Sequence, residues 1–276
     1  MHNRIDDCFA RLRSQKRKGF IPYICAGDPS LKKTVELGLA LEKSGADLLE
    51  LGLPFSDPLA DGIVNQLAAQ RSLAAGTTVR GVFDFVREIR RRSQIPIVLY
   101  SYLNPIFQFG AEKFHQEAAI AGIDGLLILD LPPEEDLLEL DCLKQSSPGS
   151  RVTEQDVIHI RLIAPTTPAD RMKEIAKSAK GFLYYVSREG VTGARDSIAT
   201  SLPQKIAELR KISDLPIAVG FGISNPKQAR EVAQHADAVV VGSAIVDLIA
   251  KHGGKPEMVE KVGAFARDLG NAIKSA

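Results

Sequence analysis

Glu50 stands inside an apolar run, Leu48-Leu49-Glu50-Leu51-Gly52, and Asp61 follows eleven positions later, at the end of a Pro- and Asp-rich loop. An ionised carboxylate is costly to bury, so a glutamate in such a run is either satisfied by loop amides or used. Desolvation raises a carboxyl's pKa and lets it exchange protons near neutrality. A strand-end Glu with an Asp close behind it is the pair that two-carboxylate proton chemistry requires. Asp61 has a second reading, as the cap of a helix opening near Ile63, and the two roles are compatible.

A second chemical signal is distributed. Val191-Thr192-Gly193, Gly220-Phe221-Gly222-Ile223-Ser224 and Gly242-Ser243-Ala244 each follow a short aliphatic run. Small residues let backbone N–H groups approach an anion, and a helix opening at Ser243 would turn its positive end toward one. Tight turns without a ligand are the plain alternative. Residues 187–196, mixing glycine with charge, read as a lid that would exclude water, or as an ordinary exposed loop. Asn104 and Asp130 precede or lie within Pro-rich turns and are either rim groups or loop braces.

The elements that would position these groups repeat along the chain. Aliphatic runs at 20–24, 47–51, 95–99, 125–129, 157–163, 181–186, 216–219 and 238–241 show little polar alternation, as expected of strands covered on both faces. Between them apolar residues recur at helical spacing, as in Val82, Phe85, Val86 and Ile89. Asp28-Pro29-Ser30, Thr166-Thr167-Pro168 and Ser224-Asn225-Pro226 are helix starts. The pattern predicts an α/β protein, a (β/α)₈ (TIM) barrel with an extra N-terminal helix, as one domain over residues 1–276. Function would then gather at the C-terminal ends of the strands. An open doubly wound sheet is the rival, since periodicity alone does not close a barrel.

Composition narrows the partners. Lys plus Arg (35) balances Asp plus Glu (34), which gives no electrostatic case for nucleic acid or an anionic membrane. No apolar run reaches the roughly 18 residues of a membrane span. The three cysteines, Cys8, Cys25 and Cys142, form neither a ligand set nor a disulfide framework, and a cytoplasmic location is expected. His115, His159 and His235 lack metal-ligand spacing, so no metal is expected. Arg90-Arg91-Arg92 reads as favouring the negative end of a helix dipole. Arg161, alternating with His159 and Ile163 on one strand face, has no evident partner in the sequence.

Together, residues 22–29, 50–62, 130–135, Ala164-Pro165-Thr166-Thr167-Pro168, Val191-Thr192-Gly193 and Gly220-Phe221-Gly222-Ile223-Ser224 closely resemble the tryptophan synthase alpha chain family, in order, from about residue 5 to about residue 270. The resemblance implies retro-aldol cleavage of indole-3-glycerol phosphate to indole and glyceraldehyde 3-phosphate. It makes Glu50 the general acid/base and Asp61 the group that holds the indole N–H, with Thr192 locking the lid. Tyr23, Tyr102 and Leu127 would wall the indole pocket, with Tyr184 and Phe221 near the phosphate. Gly193, Gly222, Gly242 and Ser243 would cradle that phosphate. It further implies an αββα complex with a beta chain that carries pyridoxal phosphate, this chain having no cofactor of its own. Pro54, Ser56, Asp57, Pro58, Asn104, Pro105 and Pro132 would face that partner.

The chain departs from the family's pattern in places. Ile63 stands where a Pro is expected, Cys25 where Thr is common, and residues 145–157 are longer or more divergent. Asn65, close to the indole ring, replaces an aliphatic residue, and Tyr100 replaces Leu or Met. Two alternatives stay open on these grounds. One is an alpha chain that has lost turnover and mainly activates its beta chain. The other is a different sugar-phosphate barrel enzyme, such as an isomerase.

Overall fold

The computed structural model describes residues 3–136, 157–186, 201–220 and 222–276. Each aliphatic run forms one strand, except 157–163, which forms two: β1 (Gly19–Cys25), β2 (Leu49–Gly52), β3 (Ile97–Ser101), β4 (Gly125–Ile128), β5 (Ile158–His159), β6 (Arg161–Ile163), β7 (Leu183–Val186), β8 (Ile217–Gly220) and β9 (Ala238–Val241). All pairings are parallel, in the order β5-β4-β3-β2-β1-β9-β8-β7-β6. The two ends of that order are consecutive in the chain. β5 pairs with β4, β6 pairs with β7, and Ile160 between them donates its N–H to the Leu126 carbonyl at 2.8 Å. A single run from Val157 to Ile163 therefore carries both pairings, and the sheet closes through it. That closure decides for the barrel over the open sheet.

The helices are α1 (Arg4–Ser14), α2 (Leu31–Lys43), α3 (Ile63–Ala74), α4 (Val79–Arg90), α5 (Leu103–Phe109), α6 (Ala111–Ala121), α7 (Ala169–Ser178), α8 (Leu202–Arg210), α9 (Pro226–Ala233), α10 (Ser243–His252) and α11 (Met258–Lys274). Ser30 and Asn225 cap α2 and α9 through their side chains, accepting from Lys33 and Gln228 N–H. Pro168 precedes α7 without a side-chain cap. Both strand faces are apolar because both are covered. Ile21, Leu48, Val98, Leu127, Ile160 and Tyr184 point into the barrel, while Phe20, Leu49, Ile97, Leu126 and Leu183 meet the helices.

The floor is plugged by α1. Its Ile5, Cys8, Phe9 and Leu12 join the interior cluster, with the Phe9 ring 5.3 Å from that of Phe182. Asn3 Nδ2 donates to the Asp124 carbonyl at 2.9 Å and Arg4 pairs with its carboxylate at 2.7 Å. The mouth at the strands' C-terminal ends is what remains for a site. Arg161 and His159 face the outer layer with Ile163. Arg161 is buried, which lowers its pKa, and His159 stacks on His115 of α6 at 5.5 Å between centroids.

Candidate active site

β1, β2 and β3 end side by side, and their register sets Tyr23 beside Glu50, and Gly52 between Cys25 and Tyr100. Glu50 points inward and is 2% exposed. Burial, and secondarily the charge of Asp61, push its carboxyl up to about 8. Among the described residues none donates a hydrogen bond to it. Gly52 has to be bare, because a methyl there would collide with the Tyr23 hydroxyl. One at Gly220 would meet the Tyr184 hydroxyl at 2.5 Å. The two glycines thus let two buried tyrosines lean across the strand ends. Leu127 of β4, opposite Tyr100, completes this part of the wall.

Asp61 arrives from the loop after β2, which folds back so that its N–H reaches the Pro58 carbonyl at 3.0 Å. Its buried carboxylate accepts from the Tyr100 hydroxyl (2.9 Å), the Tyr102 hydroxyl (2.8 Å) and Asn65 Nδ2 (3.4 Å). Burial raises its pKa, and these bonds offset only part of the rise. The capping role is not realised: Gly62 is the N-cap of α3 and no side chain caps it. Glu50, without donors, holds its proton more tightly than a carboxyl ordinarily does. Asp61 carries its charge on three donors. One carboxyl that exchanges a proton near neutrality beside one that accepts hydrogen bonds can serve a substrate needing both.

On the other side of β1, Gly242 follows β9 against Tyr23 and precedes α10, whose first turn has no side-chain cap, so the amides of Ser243 and Ala244 are left for an anion. Gly222 adopts φ +80 and leads into Ser224, whose N–H and hydroxyl both donate to Gln228 Oε1 at 2.9 Å.

The family model of the tryptophan synthase alpha chain matches residues 9–274. The alpha chain of Opitutus terrae is 48% identical over 97% of both chains, and that of Geobacter sp. strain M21 is 45% identical over 98% of both. Among solved structures, tryptophan synthase subunit alpha of Legionella pneumophila superposes with a TM-score of 0.86 at 39% identity, covering 100% of both chains. A Mycobacterium tuberculosis tryptophan synthase chain superposes at 0.87 with 30% identity, over 99% of both. This chain belongs to the tryptophan synthase alpha chain family.

Alpha chains are lyases that cleave indole-3-glycerol phosphate, and the other sugar-phosphate barrel readings fall away. The structure brings together Glu50, Asp61, Tyr23, Asn65, Tyr100 and Tyr102, which the sequence scatters over 80 positions. Thr192, Gly193, Phe221 and the 187–196 loop lie outside the described residues, as do Cys142 and most of residues 145–157. Cys25 packs with Tyr23, Ala68, Ala69 and Val246 as a small filler, its thiol pushed upward by burial. Asp130 is a loop brace, accepting the Leu103 N–H at 2.7 Å.

Of the expected partner-facing residues, Ser56, Asp57 and Asn104 are exposed, Pro58, Pro105 and Pro132 are half-buried, and Pro54 is buried. The sequence reading missed the pairing of buried Asp28 with the half-buried Arg71, bonded twice at 2.9 and 2.7 Å. It also missed the hydroxyls on Asp61. Both depend on residues about 40 positions apart. Among the described residues, no three His, Cys, Asp or Glu side chains converge as a metal requires, and no helix is long and apolar enough to cross a membrane.

Proposed function

We propose that Glu50 is the acid and base of indole-3-glycerol phosphate cleavage, with Asp61 holding the indole N–H. The observation that carries this is the asymmetry of the two carboxyls: Glu50 buried without donors and raised to about 8, Asp61 held by three. A neutral Glu50 can protonate the indole at C3, leaving an iminium in the ring that draws electrons. Removal of the adjacent hydroxyl proton by the resulting carboxylate forms the aldehyde C=O. The C3–carbon bond pair then returns to the ring, giving indole and glyceraldehyde 3-phosphate. One proton is given and one taken, so Glu50 is regenerated. Asp61 stabilises the positive charge on the ring nitrogen while it lasts.

Tyr23, Tyr102 and Leu127 wall the indole, with Tyr184 toward the phosphate. Gly222, Gly242 and Ser243, with Gly193, Phe221 and Thr192, hold and cover the phosphate, fixing the reacting carbon against Glu50. The partner is a beta chain bearing pyridoxal phosphate, in an αββα complex. Two exposed apolar side chains, Leu59 (78%) and Phe107 (70%), support a docking face there. They belong to segments that Tyr102 joins, through its ring against Phe55 and its hydroxyl bond from the Ala60 N–H.

Glu50→Gln keeps the shape and removes the titrating proton. Indole release by the complex should fall by at least ~100-fold, while a non-cleavable indolylalkyl phosphate still binds. Near-normal turnover would end the proton role. The second reading, an activator without turnover, rests on Tyr100 and Asn65 standing in the pocket. It predicts no indole release from the wild type, with the beta reaction still accelerated by this chain.

A further inference from the structure

Asp61 has no cationic partner among the described residues. The titratable groups around it are Tyr23 and Cys25 of β1, Glu50 of β2, Tyr100 of β3, Tyr102 just beyond it, and Tyr184 of β7. Its charge is therefore held by hydrogen-bond donors alone. An ionised carboxylate offers about four lone-pair positions. Two on Oδ1 are taken by the Tyr100 hydroxyl and the Asn65 amide, and one on Oδ2 by Tyr102. The free position is on Oδ2.

The donors are not interchangeable with solvent. Tyr102 accepts from the Ala60 N–H at 3.0 Å, so its own hydrogen goes to Asp61. Tyr100 is wedged edge-on against Tyr23, with centroids 5.2 Å apart. Asn65 sits on the first turn of α3 and must turn its nitrogen toward the carboxylate, since an amide oxygen there would be repelled. That orientation leaves its own Oδ1 buried and without a donor. A bare buried acceptor is unfavourable, so the amide's direction is dictated by Asp61.

We propose that Tyr100 and Asn65 are positioning residues of the cleavage reaction. By both donating to Oδ1 they keep Asp61 anionic and leave Oδ2, beside Tyr102, as the oxygen that receives the N–H of an indole substrate. This rests on the functional reading above. Without those donors the proton affinity of Asp61 climbs toward that of Glu50, and the pair shares a proton instead of dividing one charge and one proton between them.

The test compares wild type, Tyr100→Phe, Asn65→Leu and Glu50→Gln in complex with the beta chain. It measures kcat and KM for indole release across pH, and binding of an indolylalkyl phosphate and its N-methyl counterpart. Tyr100→Phe should lower kcat about tenfold, the scale of one hydrogen bond to a charge. KM should change little, the acid limb of kcat should move to higher pH, and the preference for N–H over N-methyl should shrink. Asn65→Leu should act in the same direction and more weakly. A Tyr100→Phe enzyme with kcat within about twofold of wild type, an unmoved acid limb and an intact N–H preference would overturn the proposal. A wild type that releases no indole would instead sink the functional reading. The N–H preference then decides alone: its loss in Tyr100→Phe would support the Asp61 assignment, and its absence in wild type or persistence in the variant would overturn it.

Discussion

A single buried carboxyl should leave a thermodynamic trace in this protein. Glu50 has a folded pKa near 8 against an ordinary value of 4.5. Between those values the folded state binds a proton that the unfolded chain has released. The stability associated with this group is therefore fully present in acid and is lost as pH rises through about 8. Glutamine at 50 has no such slope. The difference in unfolding free energy between Glu50→Gln and wild type should grow in the variant's favour from pH 5 toward 8, by at most about 1.4 kcal/mol per pH unit, and then flatten. Paired denaturant titrations across pH would show this, and parallel curves would mean that Glu50 is ionised in the folded protein. Glu50 was visible in the sequence because its neighbours are apolar. What makes Asp61 different was not, because its two hydroxyl donors come from Tyr100 and Tyr102, about 40 positions away.

The elements show where sequence patterning stops. All eight strand-forming runs were legible, since runs apolar on both faces have few alternatives in a chain of this kind. Closure of the barrel was not, because it depends on one run dividing its hydrogen bonds at Ile160, between β5 and β6. A recurring brace was missed as well. Asp47, Asp124 and Asp237 each stand just ahead of a strand. Each accepts, through its carboxylate, the N–H of Phe20, Ile97 or Ile217 on the neighbouring strand, at 3.1, 2.7 and 2.9 Å.

The strongest brace is Asp124, which also binds Arg90 and Arg4 at 2.7 Å each. Arg90 in turn donates to the Gly122 and Ile95 carbonyls, a tie between elements that goes beyond the dipole role expected of the Arg90–Arg92 run. Arg91 and Arg92 pair with Glu88. Asp124→Ala would strand a mostly buried guanidinium and a strand amide. It should cost about 3 kcal/mol or more, read as a lower denaturant midpoint with an unchanged slope. A loss under about 1 kcal/mol would show that the pair behaves like an exposed one.

On the scale of the molecule, stability and chemistry occupy opposite ends of one barrel. Ile5 of α1 is fully buried and rests against Gly125 and Gly181, whose missing side chains make room for it. Between it and the mouth lie Ile21 and Leu48, each two residues before Tyr23 and Glu50 on the same strand face. Ile5→Ala would open a cavity that the closed sheet can only partly collapse, for a cost of about 3 kcal/mol. For a chain of this length that is a fall in Tm of roughly 5 °C. Because interior packing is dense, strain could travel up the barrel, yet none of the bonds on Asp61 or the glycines beneath Tyr23 and Tyr184 touches the floor. The variant should therefore keep wild-type kcat and KM at 25 °C while unfolding earlier. A rise of several-fold in KM alongside the lower Tm would mean that the floor helps to shape the mouth, and that the two ends of the barrel are mechanically one.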